Sequence, residues 1–165
     1  MFTPEGIDLR WYKKFAPEVG VSWLAVPMLD LVEGTKIHVV RNPCDTITSM
    51  LGMRWPGKST PFARYAKRHW VRRGDNDLEE AAFFWKDWTE MAVDKCDLTV
   101  HIEGLEEETL WSLVMDRQPD PIATPVNRKL NSHRKDTPQV TWDQLPQEVG
   151  DWAKQLGYEE ETWER

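Results

Sequence analysis

Apolar residues recur along the chain at two different periods, and each change of period marks an element. Ser22-Trp-Leu-Ala-Val-Pro-Met-Leu-Asp-Leu-Val32 predicts a short helix, disturbed near Pro27 and closed by Gly34. Lys36-Ile-His-Val-Val40 is a β-branched run, short and apolar enough to be a buried strand. Asn42 and Pro43 follow at once. Asn is a favoured N-cap, Pro suits the first helical position, and Asp45 falls in the first turn, where a carboxylate offsets the helix dipole, so a helix starts at Pro43. Ile47, Met50 and Leu51 then share one face while Thr46 and Ser49 lie on another, and Gly52 stands where a C-terminal cap belongs.

Further along, Asp77-Leu78 opens a helix that runs through Val93 with an apolar stripe of Leu78, Ala81, Ala82, Trp85, Trp88 and Ala92. Asp97-Leu-Thr-Val-His-Ile-Glu103 alternates as a strand does, and Glu106 to Met115 reads as another helix. The stretch from Asp116 to Pro125 holds three prolines and is a loop. The string TWDQLPQEVGDWAKQLGY gives a final helix from about Pro146, stopped by Gly157. Strand, helix, basic segment, helix, strand, helix is an α/β order, with parallel pairing of the two strands expected. No repeat or low-complexity tract divides the chain, so residues 1–165 are read as a single domain with a short parallel sheet flanked by helices.

Composition narrows the class. With 40% hydrophobic and 30% charged residues there is material for a core, and most of the ten tryptophans are expected in it or in groove walls. No apolar run suits a membrane span or a signal peptide, which points to a soluble, cytoplasmic protein. Cys44 and Cys96 stand far apart and the four histidines are scattered, so neither a disulfide framework nor a zinc site is indicated. The net charge of −7 conceals an asymmetry: seven of the 21 Lys and Arg fall between Arg54 and Arg73, where none of the 28 Asp and Glu does. A shorter basic stretch runs from Asn127 to Lys135. Such runs are either solvated faces or attractors of an anionic ligand or acidic partner; nucleic acid is less favoured, because the acidic remainder would repel it.

Two places could hold a phosphate. GMRWPGKST, residues 52 to 60, has the spacing of a nucleotide phosphate loop, with Lys58 and Ser59 at its end. A kinase or NTPase using them would need a strand ending at Met50 or Leu51 and magnesium, whereas Gly52 reads as the end of a helix and Pro56 removes an N–H from a loop built on N–H groups. The second place is the helix that follows directly on the strand at Ile37, with Arg41 at the sheet edge and Ser49 eight residues on, a combination of guanidinium, hydroxyl and helix dipole suited to phosphate.

KIHVVRNPCDTITSMLG closely resembles the 3′-phosphate-binding motif of sulfotransferases, in which a buried strand leads to Arg, an Asx-Pro pair and a Ser eight residues after the Arg. AAFFWKDWTEM looks like that family's Trp-bearing helix, LTVHIEGL like its following strand with an acidic end, and TWDQLPQEVGDWAKQLGY like its C-terminal helix. The resemblance implies a fold related to nucleotide kinases that binds 3′-phosphoadenosine 5′-phosphosulfate (PAPS) or adenosine 3′,5′-bisphosphate, with Arg41 and Ser49 on the 3′-phosphate. Arg134 and Lys135 would fall where the family's late cofactor loop lies, though no motif there matches closely.

The departures from the family are equally specific. No pattern like the family's 5′-phosphosulfate loop precedes the strand at Ile37, and GKST comes after the 3′-phosphate motif, in the wrong order. The chain thus resembles the C-terminal two-thirds of a sulfotransferase, and a second chain or an upstream segment is a candidate source of the rest. In place of the His used by cytosolic members, the neighbourhood ahead of Arg41 offers Glu18 as a candidate base, with a carboxylate able to serve if burial raises its proton affinity. His101 and Glu103 are read as strand and sheet-edge structure. Without the loop that neutralises the leaving phosphate, the isolated chain is expected to transfer no sulfuryl group. The alternative from another class is a non-catalytic scaffold that binds an acidic partner through residues 54–73.

Overall fold

A computed structural model of the chain describes residues 23–55, 61–103, 105, 109 and 137–159. Its first element, Trp23–Leu31, is a 3₁₀-helix along its whole length, where the sequence predicts a short helix disturbed near Pro27. Pro27 explains the difference: it has no N–H for an α-type bond and its ring crowds the carbonyl four residues back. Val26 points into the core.

Strands β1 (Ile37–Val40) and β2 (Leu98–His101) pair in parallel, with Ile37 opposite Leu98 and Val40 opposite His101. The ladder is closed at one end by Asp97 N–H on Lys36 C=O and at the other by Ile102 N–H on Val40 C=O, both 2.9 Å. β2 is shorter than the alternating run 97–103 predicts, because beyond Val40 its neighbour turns into a helix and no backbone remains to pair with Glu103.

That helix, α1 (Pro43–Gly52), begins where Asn42 caps it, the side-chain oxygen accepting from Cys44 N–H at 2.8 Å and Asp45 N–H at 3.3 Å. Ile47 and Met50 are buried, as their spacing predicts. Gly52 is the last helical residue, yet the left-handed position belongs to Arg54, at φ 57°. Gly52 instead admits a close approach: a Cβ there would stand 2.8 Å from Thr137 Oγ1, so the Thr137 side chain would have to move.

Within the basic segment lies a helix the apolar pattern does not announce, α2 (Pro61–His69), which buries Ala63, Tyr65 and Ala66. The long helix α3 (Asp77–Lys95) is capped by Asn76, whose side chain accepts from Glu79 N–H at 3.0 Å, while Glu79 takes Asp75 N–H at 2.8 Å. α3 is the centre of the fold, with α1, β1, the first 3₁₀-helix and the C-terminal helix α4 (Gln147–Gln155) all packed on it. Its Trp85 and Trp88 are buried. Phe84, absent from the predicted stripe, stacks on Trp88 at 4.9 Å and meets the ring edges of Trp55 and Trp70 at 5.2 Å each. Such edge and offset contacts are the favoured geometries for aromatic rings.

A short 3₁₀-helix, Trp142–Gln144, leads into α4, and after it Gly157 (φ +87°) turns the chain so that Tyr158 is fully buried. The predicted helix from Glu106 to Met115 lies outside the described residues except for Thr109, which is helical. No helix among the described residues is long and apolar enough to cross a membrane.

Candidate functional site

The carboxyl edge of the two strands brings together residues far apart in sequence. β1 delivers Arg41 and Asn42 there, β2 delivers His101 and Glu103, and the turn after α4 delivers Tyr158. Arg41 is exposed, its Nη2 3.2 Å from Asp45 Oδ2 one helical turn on. Asp45 also accepts from Gln139 Nε2 at 3.3 Å. Glu103 accepts from Asn42 N–H at 2.6 Å and from the Tyr158 hydroxyl at 3.1 Å. Burial, then the adjacent Glu103 carboxylate, pushes the Tyr158 phenol well above its ordinary range, so it remains a donor. The Tyr158 ring stacks on His101 with centroids 4.5 Å apart.

Helix α1 has no spare donor at its start. Asn42 N–H goes to Glu103, Pro43 has none, Cys44 and Asp45 N–H go to the Asn42 side chain, and Thr46 N–H goes to Asn42 C=O at 3.0 Å. The sequence reading counts on the helix end to help hold a phosphate; the cap and the sheet-edge carboxylate have already taken those N–H groups. What the site offers an anion is therefore side chains, Arg41 at the edge and hydroxyls along the helix. Ser49 is half-buried two turns down α1, and its hydroxyl has no hydrogen-bond partner among the described residues.

A segment that sequence reasoning leaves unassigned runs along this same helix. Val140 N–H donates to Thr48 Oγ1 at 2.8 Å in a buried bond, Gln139 reaches Asp45, and Thr137 lies against Gly52. Thr137, which lies against the end of the helix that carries Ser49, comes two residues after Lys135 in the sequence. Arg134, Lys135 and the candidate base Glu18 lie outside the described residues. The small residue at 52 and the hydroxyl at 48 are the signals of that approach, and neither shows in an apolar pattern.

The phosphate-loop spacing from Gly52 to Ser59 starts on the last residue of a helix, where such a loop needs the end of a strand; Lys58 and Ser59 lie outside the described residues. The basic segment around it is divided in two. Arg64, Lys67 and Arg68 are exposed at i, i+3, i+4 spacing on α2. Arg72 and Arg73 instead serve the fold. Arg72 Nη2 lies 2.6 Å from Oε2 of Glu80, a carboxylate only 1% exposed, and Arg73 bridges Asp87 of α3 (3.2 Å) and Glu148 of α4. Lys86 joins the same cluster, 2.7 Å from Glu90 and 3.2 Å from Glu148.

Two other titratable groups are set by burial and lie off this edge or turned inward. His38 on β1 is pushed down to about 4 by burial. Burial first, then Asp45, raises the Cys44 thiol to about 11, which keeps it protonated and unreactive near neutrality. Compared with models of protein families, with curated proteins and with solved structures, the chain finds no match.

Proposed function

We propose that this chain binds a nucleotide bearing a 3′-phosphate, PAPS or adenosine 3′,5′-bisphosphate, with Arg41 and Ser49 as the phosphate ligands. The observation that carries the reading is the packing of residues 137–140 along α1, the helix of Ser49; in the sequence they follow a second basic stretch that ends in Arg134 and Lys135. Exposure of Arg41 at the carboxyl edge of a parallel pair, directly before an Asn-Pro helix start, also supports it. A planar guanidinium gives the phosphate two parallel hydrogen bonds, and the Ser49 hydroxyl, which has no other partner among the described residues, supplies a third. The resemblance to sulfotransferases is what selects this nucleotide among other phosphate compounds, and binding, not sulfuryl transfer, is the activity proposed for the isolated chain.

Calorimetric titration with adenosine 3′,5′-bisphosphate tests it. The native chain is expected to bind in the micromolar to low millimolar range and Arg41→Ala to lose about tenfold or more, the loss typical of a hydrogen bond to a charged group. No heat from the native chain at millimolar ligand would remove the reading.

A second reading, docking of an acidic partner, is favoured only by the exposed row Arg64, Lys67 and Arg68. Arg64→Glu with Lys67→Glu is the informative reversal, since reversing Arg72 would set a second carboxylate against buried Glu80 and unsettle the fold. Binding that survives the reversal and is indifferent to salt would exclude it.

A further inference from the structure

Glu103 stands in the turn that follows β2, and both of its carboxylate oxygens are engaged, Oε1 by Asn42 N–H and Oε2 by the Tyr158 hydroxyl. The first bond is short, 2.6 Å, as expected when a backbone donor meets an ionised acceptor. Its place matters more than its strength. The Asn42 nitrogen belongs to the same planar peptide unit as the Arg41 carbonyl, so fixing that N–H fixes the plane from which the Arg41 side chain departs. The plane cannot drift with Glu103 either, because Tyr158 is fully buried and its ring is stacked on His101, the residue paired with Val40. Three chain segments, the end of β1, the end of β2 and the turn after α4, are thereby locked at one carboxylate.

The same carboxylate occupies the anion position that the strand-to-helix corner would otherwise offer to a ligand. Resting on the nucleotide reading above, we infer that Glu103 is a positioning residue for the phosphate site: it orients Arg41 through the Asn42 peptide and, by filling the corner, leaves the phosphate to the Arg41 side chain and the flank of α1 at Ser49. Glu103 does not touch the ligand in this arrangement. A carboxylate in contact with a phosphate would repel it, whereas one bound to the backbone behind Arg41 has its charge met by two donors.

Calorimetry on the full chain separates this role from simple support of the fold. Glu103→Gln keeps the shape and one acceptor oxygen for Asn42 N–H, while its amide N–H₂ takes the place of the second oxygen and donates to the Tyr158 oxygen, and the charge is removed. This variant is expected to remain folded by circular dichroism and, as the conservative variant, to bind adenosine 3′,5′-bisphosphate within about threefold of the native chain. Glu103→Ala is expected to lose about tenfold, and added formate, which can fill the vacated anion position, should restore part of that affinity, a rescue that a merely structural residue would not show. If Glu103→Ala does not fold, Tyr158→Phe serves in its place, since it leaves the carboxylate but frees one oxygen and should weaken binding about two- to fivefold. Native affinity in folded Glu103→Ala, or in Tyr158→Phe where Glu103→Ala does not fold, would overturn the inference while leaving the nucleotide reading standing. A native chain that binds no bisphosphate would overturn both.

Discussion

Arg41 already has a partner, and a ligand must compete with it. Its contact with Asp45 is an exposed i, i+4 pair at 3.2 Å, with the two side chains 44% and 36% exposed. Pairs of this kind are worth roughly 0.2–1 kcal/mol, too little to hold the guanidinium against a phosphate that carries more charge and offers two oxygens in one plane. Asp45→Asn should therefore tighten bisphosphate binding by about two- to fivefold, read by calorimetry at low salt, and the gain should shrink as salt is raised. Weaker binding in that variant would mean that Asp45 holds Arg41 in its productive direction. At this scale the sequence is informative about identity but not about engagement. Arg41 and Ser49 can be picked out by spacing, but nothing in the spacing tells that Asp45 leans on one and leaves the other open. The same holds for Arg72 and Arg73, which read as part of a free basic run and turn out to face Glu80, Asp87 and Glu148.

Among the elements, α1 is the one whose start is written most fully in the chain. Asn42, Pro43 and Asp45 each act as predicted, and the cap is buried, with Asn42 only 4% exposed. Removing it in Asn42→Ala leaves the N–H groups of Cys44 and Asp45 without their acceptor in a place water reaches poorly. The expected cost is about 1–2 kcal/mol, measured as a lowered urea midpoint with unchanged slope. A change below about 0.3 kcal/mol would show that the tertiary contacts, and not the cap, decide where the helix begins. α2 is the converse case. Its charged face dominates the residue pattern, and its buried side is made of Ala63, Ala66 and Tyr65, small or amphipathic residues that give little apolar signal.

Across the whole molecule, the C-terminal part is held to the rest by a few long-range contacts. Trp152 donates to Thr89 at 2.8 Å, Val140 to Thr48, Tyr158 to Glu103, and Arg73 and Lys86 reach Glu148. Two groups whose proton affinity the fold shifts titrate in acid, in separate windows. His38 holds its proton only below about pH 4 when folded, against about 6.5 in an unfolded chain. A depressed value means that its contribution is present above 6.5 and is lost as the pH falls toward 4. The hydrogen bond from Arg73, then that from Lys86, holds the Glu148 carboxyl below the ordinary carboxylate range against the opposing effect of burial, so its contribution is present above about pH 4.3 and is lost below that. Urea midpoints measured from pH 7 to pH 3 should fall in two stages. His38→Gln should flatten the first and Arg73→Ala the second. A native midpoint constant down to pH 4.5 would contradict the assignment of His38.

The sequence alone determined the order of the two strands and of helices α1, α3 and α4, and the starts of the two capped helices, because N-caps, proline at the first turn and β-branched runs act within a few residues of themselves. It also pointed to parallel pairing of the two strands, since a parallel pair needs the long crossover that the helices between them supply. Tertiary structure decided the rest. Whether Gly52 caps a helix or admits a neighbouring segment depends on Thr137, 85 positions away in the chain. Whether a helix end can receive an anion depends on Glu103, which arrives from another strand. A donor has only one proton to give, and which acceptor reaches it first is settled by the packing of segments that no local pattern places side by side.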